Sequence, residues 1–385
     1  MMKEAFLKLP QRVYLGENLL DKLGEFLQTR KNTNVLLFTD QGLLKAGLVQ
    51  PLEDYLQAHG IAYQIESEIK PEPSYTQVDA LFKKVSQFNF NTIVAIGGGS
   101  VMDAAKLISL LLHTDLSVKD LINDPTKAQK HCATVFIPTT AGTGSEATIN
   151  AIVSIPEKQV KFGIVADAML PDLVLLDGNN VKNLPKSILA SSAIDALSHC
   201  VECYTAKNAT VMSDGVALLG AKLIFKNIIK AYQDTKDIQA REALQLGAFY
   251  GGVAITASGT NIVHALSYPL GGKFHIAHGV ANAILFKACM ETNKPAIEDR
   301  LAALSTNIWP EEGSKSTSAK ADFVIAKIAE IVAKTEIPTD LKKFGVQETD
   351  LDFLVDSALE QKRLLSHNLK KLTRSEIAQI YKAVM

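Results

Sequence analysis

Four segments in the first half of the chain are short, β-branched and apolar along their length: NVLLFT (34–39), TIVAIG (92–97), ATVFIP (133–138) and DLVLLD (172–177). A strand with one face in water alternates polar and apolar residues. An unbroken apolar run needs cover on both faces, which is the condition inside a parallel sheet. The stretch YTQVDALFKKVSQFNF between the first two runs carries Val78, Leu81, Phe82, Val85 and Phe88 at helical spacing, giving one apolar face. Strand and helix in alternation predict a doubly wound α/β domain. TINAIVSI and VKFGIV predict a hairpin near its end. After about residue 182 the pattern changes. Helical stretches follow at 211–233, 237–258, 278–291, 294–306, 319–334, 348–361 and 374–383, with no convincing strand. The expected fold is therefore α/β plus all-α: a Rossmann-like parallel-sheet domain over 1–182, then an all-helical domain over 183–385.

A chain of 385 residues is too long for one ordinary core, which agrees with two domains. Lys plus Arg is 40 and Asp plus Glu is 41, so the net charge is −1. Near-neutrality offers no electrostatic reason for nucleic acid or an anionic membrane as partner. No run of about 18 apolar residues exists to span a bilayer. The opening stretch MMKEAFLKLPQRVYLGEN lacks the apolar core and cleavage site of an export signal, so a cytoplasmic location is expected. Four cysteines in a chain this long do not make a disulfide framework.

Two polar, Gly-rich loops follow predicted strands. In VAIGGGSVMDAAK, Gly97, Gly98 and Gly99 remove every Cβ where strand becomes helix. A phosphate could then reach backbone N–H groups and the positive helix start. The spacing is not G-x-G-x-x-G, and a tight turn that binds nothing is the bland alternative. In IPTTAGTGSEAT, Thr139, Thr140, Thr143 and Ser145 supply hydroxyls. Such loops lie where open α/β sheets bind ligands, and together they point to a nucleotide site. Asp40 ends the first strand. It could accept from a ribose 2′-OH and repel a 2′-phosphate, or simply cap a helix.

The second half carries candidate metal ligands. In DALSHCVECY, Asp195 and His199 are four apart, so on one helix face they can grip one cation. His264 and His278 flank ALSYPLGGKFHIA, where Pro269, Gly271 and Gly272 are expected to force a reversal that brings both imidazoles to one point. One carboxylate and three imidazoles suit Fe²⁺ or Zn²⁺. Cys200 and Cys203 form a C-x-x-C, but Cys200 lies about 100° around the helix from His199 and reads as core. His59, His113 and His131 are isolated.

Taken together, GGGSVMDAAK, PTTAGTGSEAT, DALSHCVECY, VHALSYPLGG and AHGVANAI resemble the iron-containing alcohol dehydrogenase family over nearly the whole chain. The resemblance implies an α/β dinucleotide-binding domain, a helical domain and a divalent metal between them. It implies metal ligands Asp195, His199, His264 and His278, a pyrophosphate loop of Gly97 to Ser100 with Asp103 nearby, and cofactor contacts from Thr139, Thr140 and Thr143. Lys161 in QVKFGIV matches a lysine beside the cofactor ribose. The implied activity is hydride transfer between a primary alcohol, or its aldehyde, and NAD, with Fe²⁺ or Zn²⁺ as metal; a homodimer is expected. Many members carry a histidine four residues after the third ligand, where this chain has Tyr268. We expect Tyr268 to orient cofactor or substrate and His275 to carry the released proton to water. VHALSYPLGG with QKRLLSHN is most similar to the 4-hydroxybutyrate dehydrogenase branch, which would need a cation such as Lys273 or Arg363 for the substrate carboxylate. Two alternatives use related machinery: a hydroxyacid–oxoacid transhydrogenase that retains its nucleotide, and a lyase or synthase of the dehydroquinate-synthase type. The non-enzyme alternative is a metal-binding or filament-forming protein.

Overall fold

The computed structural model describes residues 4–30 and 33–385. Residues 1–3, part of the opening stretch read above, lie outside it. The chain divides into two compact units. Lys8–Leu184 forms the first, and Pro185–Met385 with the described residues before Lys8 forms the second. The break falls two residues beyond the expected position, immediately ahead of the helix that Pro185 precedes.

The first unit is built on a six-stranded parallel sheet. Its strands are β1 (Arg12–Gly16), β2 (Asn34–Phe38), β3 (Ala62–Glu66), β4 (Thr92–Gly97), β5 (Ala133–Pro138) and β8 (Leu173–Asp177). Their spatial order is β1-β8-β5-β4-β2-β3. β6 (Asn150–Ile155) and β7 (Val160–Val165) form the expected antiparallel hairpin. Alternate residues feed two cores. Ile93 and Ala95 of β4 join Leu36, Phe38 and Phe136 on one face. Val94 and Ile96 join Val35, Leu37 and Val135 on the other. Cover on both faces is why these strands are apolar throughout.

β1 and β3 carry no such run, and sequence reading missed both. They are the two edges of the sheet. RVYLG leaves Val13 and Leu15 exposed, and AYQIE is exposed or half-buried until its last residue, Glu66. An edge strand buries too little to need uninterrupted apolar residues.

The strand order reverses between β2, whose chain continues outward to β3, and β4, whose chain continues the other way to β5. Open α/β sheets bind ligands at the strand ends flanking such a reversal. Asp40 follows β2, and Gly97–Gly99 ends β4 and begins the helix Gly99–Leu111. β5 lies beside β4 with Gly97 opposite Pro138, and the Thr139 N–H donates to Gly97 O at 3.0 Å. The two Gly-rich loops therefore leave the sheet side by side.

The second unit is helical: Lys186–Tyr204, Val211–Gln233, Ile238–Ser258, Ile262–Phe274, His278–Ile308, Thr317–Lys334 and shorter C-terminal helices. Two expectations need correction. Pro269, Gly271 and Gly272 do not force a reversal; they lie inside the helix Ile262–Phe274. Pro269 forfeits one backbone hydrogen bond, and burial of this segment outweighs that loss. The turn comes at His275, whose φ of 55° places it in the left-handed region that ends helices. Likewise 278–291 and 294–306 are one helix of 31 residues running through Pro295. Among the described residues, no helix is long and apolar enough to cross a membrane.

The close packing of the two loops sets a testable requirement. A Cβ on Gly99 would lie 2.7 Å from Thr143 Cγ2, whereas one on Gly98 would meet nothing nearer than 3.5 Å. Gly99→Ala should destabilise the protein by about 1–3 kcal/mol, the usual cost of overpacking. Gly98→Ala should be nearly silent. Thermal melts of the two variants check this, and equal melting temperatures would contradict it.

Candidate metal centre and cofactor loops

Asp195 and His199 come from one face of Lys186–Tyr204; His264 stands in the first turn of Ile262–Phe274; His278 is the first residue of His278–Ile308. One donor atom from each lies within 4.8 Å of all the others. Asp195 Oδ1 is 3.5 Å from His199 Nε2, 3.6 Å from His264 Nε2 and 3.5 Å from His278 Nε2. A tetrahedron with metal–ligand bonds of about 2.1 Å has donor separations of roughly 3.4 Å, so these spacings fit a bound ion. Asp195, His199 and His264 are buried, while the His278 side chain is 25% exposed and marks the open side.

The electrostatics also suit a cation. Burial pushes the Asp195 carboxyl up, but the three imidazoles outweigh it and hold the group well below the usual carboxylate range. Burial opposes charging of His264, yet Glu202 and Asp195 raise it to about 9.

Two further residues touch the group, and sequence reading passed over both. Glu202 accepts from His264 Nδ1 and is fully buried. Asn282 donates to Asp195 Oδ1 at 2.6 Å, and its Oδ1 is buried with no hydrogen-bond partner. The signals were spacings: Glu202 stands seven residues after Asp195, and Asn282 four after His278, on the ligand-bearing helix faces. The two cysteines are not in the group. Cys200 and Cys203 are fully buried, burial pushes both thiols up, and Cys200 Sγ packs 3.9 Å from Gly247 O.

Tyr268 is buried, with its ring 5.8 Å from that of His278. His275 is exposed at the helix end and lies outside the four-ligand group. Lys273 pairs with Asp350 at 2.6 Å and sits over the Phe353 ring, so its charge is already matched. Arg363 is exposed.

In the first unit, Cβ atoms on Gly97 and Gly99 would strike Val101 and Thr143, so close approach demands glycine at both. Ser100 Oγ accepts from the Glu72 N–H at 3.0 Å, and Glu72 pairs with buried Lys161 at 2.6 Å. The structure thus links Lys161 to the glycine turn through one residue. Asp103 is buried and occupied, accepting from Ser145 Oγ at 2.5 Å and the Ile152 N–H at 2.9 Å. Buried Lys106 donates to Ser145 Oγ, Thr148 Oγ1 and Asn150 O, which ties the second loop to the helix that follows the first. Thr139 is buried, Thr140 and Thr143 are half-buried, and Thr143 Oγ1 accepts from the Ser145 N–H at 3.2 Å. Asp40 caps the short helix Gln41–Lys45, its Oδ1 accepting from the Leu43 N–H at 3.0 Å. The capping role left open by the sequence is real, and it engages one carboxylate oxygen.

Residues 10–178 match the iron-containing alcohol dehydrogenase family, and residues 189–385 match the C-terminal region of the same Fe-containing family. The chain belongs to the iron-containing alcohol dehydrogenase family. Family relatives align end to end. Long-chain-alcohol dehydrogenase 1 of Geobacillus thermodenitrificans (strain NG80-2) is 32% identical over 385 residues, covering 99% of this chain and 97% of that protein. The NAD-dependent methanol dehydrogenase of Bacillus methanolicus is 29% identical over 374 residues, covering 97% and 98%. The crystal structure of a 1,3-propanediol oxidoreductase superposes with a TM-score of 0.94 at 29% identity over 100% of both chains. This chain is accordingly an oxidoreductase of the alcohol dehydrogenase type.

The ligand group predicts a sharp contrast between neighbours on one helix. His199→Ala should lose the bound ion and activity together, since a site short of one imidazole holds a divalent cation poorly. Cys200→Ala with Cys203→Ala should keep roughly one ion per chain, as expected for core thiols without a ligand role. Metal analysis of the purified variants decides, and the reverse pattern would move the site to the thiols.

Proposed function

We propose that the protein interconverts a primary alcohol bearing no charged group and its aldehyde, with NAD as hydride carrier and a divalent iron held by Asp195, His199, His264 and His278. The observation that carries this reading is the convergence of those four donors at spacings that fit one ion. Zinc fits the same donor set. Iron supplies a Lewis acid that makes an alcohol hydroxyl easier to deprotonate and polarises an aldehyde carbonyl.

The chain's own residues do the rest. Buried Tyr268, beside His278, excludes water and orients the substrate or the nicotinamide. A tyrosine hydroxyl can both donate and accept, so it can pass a proton along a hydrogen-bond chain. Exposed His275 passes the proton to solvent. The glycines of 97–99 admit the cofactor pyrophosphate to the start of Gly99–Leu111, where backbone N–H groups and the helix dipole favour an anion. Ser100, Thr139, Thr140, Thr143 and Lys161 line its path, and Asp103 holds the loop that carries Ser145. Asp40 uses one oxygen as a helix cap and offers the other to the ribose 2′-OH.

The pairing of Lys273 supports an uncharged substrate. A buried carboxylate such as that of 4-hydroxybutyrate needs an uncommitted cation, and Lys273 already neutralises Asp350. Relatives named for long-chain alcohols, methanol and 1,3-propanediol support the same choice, although a sulfoacetaldehyde reductase of Bilophila wadsworthia, 28% identical, is named for an anionic substrate.

Uncharged alcohols of matched length should exceed 4-hydroxybutyrate by about tenfold or more in kcat/KM with NAD, a difference of about 1.4 kcal/mol. A preference for 4-hydroxybutyrate would overturn the uncharged reading and favour the branch noted from the sequence. Asp40→Gly should raise the NADP/NAD ratio of kcat/KM at least about tenfold. It should also lower the melting temperature, through loss of the cap. A fall in stability with an unchanged ratio would leave Asp40 as a cap alone.

A further inference from the structure

We propose that Glu202 is a positioning residue of the metal centre, orienting the His264 ring and fixing its tautomer so that Nε2 faces the ion. The inference rests on the metal reading above and concerns a residue outside the ligand set.

Glu202 follows Asp195 by seven residues and His199 by three on the helix Lys186–Tyr204. It therefore lies about 20° and about 60° from them around the helix axis. Its side chain is fully buried. Oε1 accepts from the backbone N–H of Asn261 at 3.0 Å and of Val263 at 2.7 Å, at the start of the helix Ile262–Phe274. N–H groups in a first turn have no acceptor within their own helix, so Glu202 supplies one. The Asn261 side chain answers by donating to Glu202 O at 2.9 Å. These bonds clamp the start of one helix to the end of the other. Oε2 is left for His264 Nδ1.

A carboxylate only accepts, so the proton of a neutral His264 is held on Nδ1. The Nε2 lone pair is then free and faces the ligand group, 3.6 Å from Asp195 Oδ1. Histidine ligands commonly depend on such an outer partner for tautomer and ring orientation. Glu202 and Asp195 also bring two negative charges, which match a divalent ion in a buried site.

Glu202→Gln separates this role from helix capping. The amide has the same length, and its oxygen can still accept from both backbone N–H groups. Its NH₂ then faces His264 Nδ1, which must become the acceptor. The imidazole proton moves to Nε2, where it blocks the ion. Turning the amide over would set its NH₂ against two N–H donors. A cap survives this substitution, and a tautomer selector does not.

The test uses full-length, metal-stripped protein with Zn²⁺ as probe. Affinity is read by competition with a chromophoric chelator in wild type, Glu202→Gln and His264→Ala. Circular dichroism and melting of the stripped proteins run alongside. Glu202→Gln should weaken Zn²⁺ binding about 10–100-fold with helicity retained. Wild-type affinity in Glu202→Gln, with binding lost in His264→Ala, would overturn the inference and leave the metal reading standing. Unchanged Zn²⁺ binding in His264→Ala would remove the metal reading, and the inference with it. If Glu202→Gln fails to fold, ¹⁵N-histidine spectra of the Zn²⁺-loaded wild type decide. A downfield Nδ1–H signal that disappears in His264→Ala is expected; no such signal would overturn the proposal.

Discussion

The helix Lys186–Tyr204 buries two carboxylates, Asp195 and Glu202, one 2% and the other 0% exposed. An unpaired carboxylate in a protein interior costs several kcal/mol, so each must find donors or positive charge. Glu202 finds two backbone N–H groups and one imidazole on the helix Ile262–Phe274. Asp195 finds the Asn282 amide and three imidazole nitrogens drawn from three helices. The helical unit is organised around meeting that demand. Removing either carboxylate takes away an acceptor that several other groups rely on.

The α/β unit obeys a different constraint. Its central strands are covered on both faces, so they can carry no functional polar group along their length. Polar chemistry is displaced to the C-terminal strand ends, and there the two Gly-rich loops meet. Their contact is tight enough that Gly99 packs directly on Thr143. Lys106 then fastens the second loop to the helix that the first loop begins, with a buried ammonium satisfied by hydroxyls, a carbonyl and Asp103. The network ties the two loops together through buried polar contacts.

The C-x-x-C beside Asp195 and His199 lies outside the four-residue group. The helix turns by about 100° per residue, so Cys200 points away from the face that His199 occupies. It packs against Gly247 in a region where Gly220 and Gly251 also come close to its sulfur. Burial among apolar groups keeps the thiols protonated, the opposite of what a metal-binding or redox thiolate requires.

Periodicity alone determined the change from α/β to helix near residue 182, the four central strands and the pairing of Asp195 with His199 on one face. Each depends on burial or geometry within a few turns of chain, which leaves a local pattern. The edge strands β1 and β3 leave no such pattern, because half-exposed strands tolerate mixed residues. The helix running through Pro269 was decided by tertiary burial, which outweighed a lost hydrogen bond. Glu202 and Asn282 were within sight as spacings, but their partners lie 62 and 87 residues away. A hydrogen bond across that separation imposes no periodicity on either segment. Only the packing of two helices decides that a buried glutamate meets a histidine there rather than water.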